Sequence, residues 1–188
     1  MANNYYTFIS KNSLSTLAVY PVVFENAIHN DDRSLDGGRY IHNHLIFGDY
    51  PKGLCFPVDF IEKEGKKLKN VVEMRYPGAF LISNFLKDIF EKAGLTGWKT
   101  YDITIHRKNG DILPGFYGFS ITGRNPSSNI GNTPEIPDFF MLHPDKLWII
   151  CTQKVVDVLK ENKIRDFETE PLSEDSLPDV YQQINFPK

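Results

Sequence analysis

Residues 79–103, AFLISNFLKDIFEKAGLTGWKTYDI, recur in blurred form sixty-nine positions later as residues 148–172, WIICTQKVVDVLKENKIRDFETEPL. Nothing else in the chain restricts the fold as much. Two stretches that keep the same spacing of apolar, hydroxyl and helix-ending residues describe the same local unit. Leu81 and Ile82 match Ile150 and Cys151, and Ser83 matches Thr152. Leu86, Ile89 and Phe90 match Val155, Val158 and Leu159, while Leu95, Trp98 and Thr100 match Ile164, Phe167 and Thr169.

Each copy opens with an apolar run too short for a helix. Ser83 or Thr152 follows, a hydroxyl residue able to accept from free N–H groups at a helix start. The next ten residues carry apolar side chains at i, i+3 and i+4, the pattern of a helix buried on one face. Gly94 ends the first helix, and Asn162, one position early in register, is expected to end the second. Alternating segments then read as strands, Trp98 to Ile103 and Phe167 to Glu170. With only two copies the chain is no solenoid. The expected class is α+β: duplicated strand–helix–strand units packed with antiparallel hairpins. A β-rich part, 1–76, precedes the duplicated part, 77–188, in one continuous domain, with Trp98 and Phe167 in equivalent, largely buried positions.

At 188 residues the chain can bury roughly 70% of its unfolded surface. Its net charge of −3, from 21 basic and 24 acidic residues, supplies no basic excess for phosphate contacts and argues against a nucleic-acid partner. No run approaches a membrane span, and the start lacks the basic-then-apolar pattern of a signal peptide. Cys55 and Cys151 stand alone, without zinc spacing, which fits a reducing cytoplasm.

Along the chain, Tyr5 to Ile9 and Leu17 to Phe24 read as strands, the second placed at a sheet edge by Pro21. Residues 28–39 read as a polar loop, and Tyr40 to Phe47 as a strand with His42 and His44 on one face. Phe56 to Tyr76 reads as a hairpin turning at Glu64 to Lys67. Asn109-Gly110 signals a type I′ turn between Ile103 and the return strand ending at Arg124, and this hairpin is expected to join the two units. Residues 125–137, with three prolines among Ser, Asn and Thr, form an exposed loop.

His42-x-His44, with His29, Asp31 and Asp32 upstream, has a spacing that metal sites use, yet no third ligand is fixed; solvated or hydrogen-bonded imidazoles are the simpler reading, and no metal or other cofactor is expected. No nucleophile elbow is present, and Gly115, Gly118 and Gly123 lack the Lys-Ser/Thr of a phosphate loop. Arg124 sits at the mouth of the long loop, placed to anchor it on Asp138 or Glu135, or to meet a partner. From Asp166 to Asp179 the chain holds six carboxylates and no Lys or Arg, either a solvated face or a surface steering toward a basic partner.

The strings Leu81-Ile82-Ser83, Gly94 to Tyr101 and Tyr117 to Arg124, with Trp148 to Thr152 and Ile164 to Phe167, resemble a bacterial family grouped with the immunity proteins of polymorphic toxin systems. The resemblance covers about residues 75–172. It implies a small cytoplasmic protein that binds and blocks one cognate toxin protein without catalysis, and it carries over no site residues. The surface expected to bind that partner draws on the long loop and the acidic strip: Arg124, Asn129, Glu135, Glu168, Glu170, Glu174 and Asp175. Two alternatives stand beside it, a metal-dependent or other small hydrolase using His42, His44 and Arg124, and a non-catalytic scaffold module.

Overall fold

The computed structural model describes residues 5–11, 13–22, 41–74, 80–124, 136–143 and 146–172. The 28–39 loop, Asn129, Glu135, Glu174 and Asp175 lie outside them. In chain order the elements begin with β1 (Tyr5–Thr7), β2 (Ile9–Ser10), β3 (Ala18–Pro21), α1 (Ile41–Phe47), β4 (Val58–Glu64) and β5 (Val71–Glu73). Next come β6 (Phe80–Ser83), α2 (Asn84–Lys92), β7 (Trp98–Tyr101), β8 (Ile103–His106), β9 (Ile112–Leu113) and β10 (Phe116–Ile121). The last are β11 (Phe139–His143), β12 (Lys146–Thr152), α3 (Gln153–Glu161) and β13 (Phe167–Glu168). Strands and helices mix in an α+β chain that is mostly sheet.

Ser83 turns β6 into α2: its hydroxyl accepts from Leu86 N at 3.2 Å, satisfying one of the helix's orphan donors. Leu86 and Phe90 form the buried stripe. The helix ends through Gly94 at φ +59, with Gly94 N donating to Glu91 O and Leu95 N to Phe90 O. At α3 the same bonds recur, Lys163 N to Lys160 O and Ile164 N to Leu159 O. There the left-handed residue is Lys163, at φ +56, and not Asn162, whose φ is −90. Thr152 also departs from expectation. Its hydroxyl donates to Asp138 Oδ1 at 2.9 Å, as the Ser83 hydroxyl donates to Asn70 Oδ1, but it accepts no cap bond from α3.

The largest sheet runs β7-β10-β6-β5-β3-β4-β8-β9. Only Asp102 separates β7 from β8, and only Pro114 and Gly115 separate β9 from β10, yet the two members of each pair stand at opposite ends of that order. The sheet therefore curls on itself, and Val58 N donating to Asp102 O at 2.9 Å lies at the seam. Tyr101 is buried and its hydroxyl points at Met74 Sδ, 3.9 Å away. Gly118, opposite it on β10, has no room for a Cβ against the Tyr101 ring, which explains a glycine in mid-strand.

Strand pairing corrects several expectations. β4 and β5 do not form a hairpin; β3 lies between them, antiparallel to β4 and parallel to β5. The supposed turn residues instead bond back to the start of the chain, Lys66 N and Lys67 N to Ser15 O and Leu17 N to Lys67 O. β3 is thus an interior strand. Pro21 is tolerated because it is the last residue, opposite Phe60 and beyond the Ala18–Glu73 pairing. The β8–β9 hairpin forms, but its loop closes with Arg107 N on Asp111 O and Gly110 N on Arg107 O. Gly110 alone has positive φ there, so the turn is the three-residue kind with a glycine bulge, not type I′. β10 also does more than link two units: it pairs with both β6 and β7.

Two further ladders, β1-β12-β11 and β13-β2, complete the fold. Aromatic rings fill the junction. Phe8 stacks on Phe167 at 4.1 Å and meets Phe80 and Phe139, while Phe119 touches Phe80, Phe90, Trp98 and Phe139. Such pairs add about 0.5–1.5 kcal/mol each beyond area burial. Phe167 is buried, but Trp98 is only partly so, its indole N–H donating to Leu95 O at 2.8 Å.

Candidate functional site

The acidic edge is built by the alternation of a strand. Phe167 points into the core, which turns Glu168 to solvent. β13 pairs with β2 on one side, and among the described residues no strand covers its other side. The chain continues along the same partner: Thr7 N donates to Glu170 O at 2.9 Å and Glu170 N to Thr7 Oγ1 at 3.2 Å, leaving the Glu170 side chain exposed. Glu168 lies 3.6 Å from Lys11 with both side chains about half exposed, a pairing weakly held in water. Asp166 differs, because its carboxylate accepts from Asn70 Nδ2 at 2.8 Å and so ties the edge to the sheet.

Arg124 is not paired with Asp138. Its guanidinium donates to Ile121 O, Gly123 O and Phe47 O at 2.9, 3.2 and 3.1 Å, and lies over the Phe47 ring. The carbonyls at the end of α1 draw three such donors. Besides Arg124 on Phe47 O, Lys99 Nζ reaches Gly48 O at 2.6 Å and the Ser120 hydroxyl donates to Leu45 O. Two cations at a helix C-terminus suit its partial negative charge. Lys99 also sits 4.2 Å over the Tyr50 ring, and the Tyr50 hydroxyl lies 3.0 Å from Ser120 Oγ. Burial raises the Tyr50 phenol above its usual range, and the Ser120 bond only partly offsets this.

His42 and His44 lie on α1, not on a strand, and positions two apart on a helix are turned about 200° from each other. They cannot share a face. His44 is buried, with Nδ1 2.9 Å from Asp49 O and 3.5 Å from Asp49 Oδ1. No group of three or more His, Cys, Asp or Glu side chains poised for a metal occurs among the described residues.

Asp138 escaped the sequence reading except as a partner for Arg124. It is 8% exposed, and its carboxylate accepts from Thr96 N, the Thr96 and Thr152 hydroxyls and Lys154 Nζ at 2.9–3.2 Å. Its one visible signal is position, a carboxylate directly before Phe139-Phe140-Met141. Beside it, burial together with the Asp138 charge pushes the Cys151 thiol up to about 12, so this cysteine is no nucleophile at neutral pH. Cys55 is exposed.

No helix among the described residues is long and apolar enough to cross a membrane. No protein-family model matches the chain, and no curated protein matches it.

Proposed function

We propose that this chain is an immunity protein, a stoichiometric inhibitor that binds a cognate bacterial toxin protein and works in the cytoplasm without catalysis. One observation carries the reading: Glu168, on β13, and Glu170, just after it, are exposed along a segment that pairs on one side only among the described residues, a geometry suited to meeting a basic protein surface. The resemblance over residues 75–172 points the same way. The proposed contact surface also includes Asn129, Glu135, Glu174 and Asp175, together with Arg124, whose guanidinium donates to Ile121 O, Gly123 O and Phe47 O. The test is kinetic. Glu170→Lys, Glu174→Lys and Asp175→Lys together are expected to slow capture of the toxin most at low salt, since exposed charges are screened over about 8 Å at physiological ionic strength. Wild-type association rates at both low and high salt would sink the acidic-edge assignment.

The same reading includes a duplication in which residues 79–103 and 148–172 are copies of one unit. The supporting observations are the matched helix-ending bonds and the left-handed residues Gly94 and Lys163, sixty-nine positions apart.

A further inference from the structure

The match between the two units extends to strands far from them in sequence. β10 runs antiparallel between β6 and β7, with Phe116, Tyr117 and Gly118 opposite Ser83, Ile82 and Leu81, and Ser120 and Ile121 opposite Lys99 and Trp98. Residues 5–10 run between β12 and β13 in the same way. Tyr5, Tyr6 and Thr7 stand opposite Thr152, Cys151 and Ile150, and Ile9 and Ser10 opposite Glu168 and Phe167. Every partner is displaced by the repeat interval (152 − 83 = 69) and every middle-strand residue by one constant step (116 − 5 = 111). The bond after the strand agrees: Thr122 N donates to Gly97 O at 2.8 Å, and Lys11 N to Asp166 O at 2.7 Å. Even the residues correspond, FYGFSI against YYTFIS, with Phe119 on Trp98 and Phe8 on Phe167 as the matching ring stacks.

The outer strands match too. Val71 and Val72 face Ile82 and Leu81 as Phe139 and Phe140 face Cys151 and Ile150. Ser83 donates to Asn70 through hydroxyl and N–H as Thr152 does to Asp138. The first unit thus reads 70–73, 80–83, helix, 98–101 and 116–121 in chain order. The second reads 138–141, 149–152, helix and 167–168, with its last strand supplied from the opposite end of the sequence.

We propose, building on the duplication, that the groove between β12 and β13 is a docking site for an extended segment, and that this chain's residues 5–10 are its ligand. Backbone ladders on both sides give affinity. Phe8, 2% exposed among Phe80, Phe139 and Phe167, gives specificity. Leu172 N donating to Tyr5 O at 2.8 Å brings the two ends of the second unit within one short turn of each other, as a relocated strand requires.

Two experiments on the full set of residues test this. A protease site placed between Lys11 and Ser13 allows the folded protein to be nicked. The fragment 1–12 should then stay bound through size exclusion and exchange with a labelled synthetic 1–12 peptide, while a Phe8→Asp peptide binds more than about 100-fold more weakly. Loss of the fragment, or equal binding of the Phe8→Asp peptide, overturns the proposal. A circular permutant that starts at Ser13, runs to Lys188 and continues with residues 1–12 should melt cooperatively near the wild-type temperature; failure to fold while the unpermuted chain folds also overturns it. Neither failure touches the 79–103 and 148–172 match, which the helix-ending residues test separately.

Discussion

Replacing Lys163 by glycine is expected to stabilise the protein by about 0.5–1 kcal/mol, although it removes an entire side chain. Lys163 holds φ +56, and the matching position of the first unit is a glycine at φ +59. A left-handed L-residue costs roughly 1–2 kcal/mol, while glycine gives back about 0.5–1 kcal/mol through the greater freedom of its unfolded state. The side chain is exposed, so little packing is lost. For a chain of this size the gain corresponds to about 1–4 °C in melting temperature. Gly94→Ala is the mirror experiment. A Cβ at Gly94 meets nothing within 4 Å, so its cost, about 1 kcal/mol, is backbone strain alone. Urea denaturation should show shifted midpoints at unchanged slope. If Lys163→Gly is neutral or destabilising while Gly94→Ala costs its full value of about 1 kcal/mol, the two helix ends are not equivalent, and the duplication loses one of its supports.

Glu62→Gln should lower stability at neutral pH by about 1 kcal/mol, since Arg107 Nε binds the carboxylate at 2.5 Å but itself reaches solvent. Burial alone pushes the Glu62 carboxyl up, but Arg107 and the Lys108 N–H and charge together hold it below its ordinary value. A depressed folded pKa contributes stability above the unfolded value and loses it on acidification. The difference between wild type and variant should therefore shrink as pH falls below about 4.5, as followed by denaturant titrations at stepped pH. Thiol counting gives a third check. Cys55 should react at once with a small disulfide reagent and Cys151 only after unfolding, because the Cys151 thiol, pushed up to about 12, is buried; two fast thiols in the native protein would contradict the placement of β12.

Helix and strand existence was readable wherever a period ran long enough. The α2 and α3 stripes and the β8–β9 end of the hairpin follow from local spacing, but the expected strands Tyr5–Ile9, Trp98–Ile103 and Ile112–Arg124 are each split, at Phe8, at Asp102 and at Pro114-Gly115. Strand partners were not readable, because alternation shows that a segment is half-buried without showing what lies beside it. That is why β3 enters between β4 and β5, and β10 between β6 and β7, against expectation. α1 failed for a different reason. Leu45, Ile46 and Phe47 are all buried in succession, so the segment shows neither period, and its C-terminal carbonyls are satisfied by Ser120, Lys99 and Arg124 from distant strands. Asp138 was hidden likewise, since its partners Thr96, Thr152 and Lys154 lie on other elements. At the acidic edge, by contrast, the in–out alternation of Phe167 and Glu168 could be read directly.

The claim that this chain is a stoichiometric toxin inhibitor is tested most directly by co-purifying it with the product of the adjacent gene and titrating that product's growth-arresting activity. An equimolar complex is expected, with arrest relieved at the equivalence point and no turnover of either protein. Absence of a complex, with arrest undiminished when this protein is in excess, would contradict it.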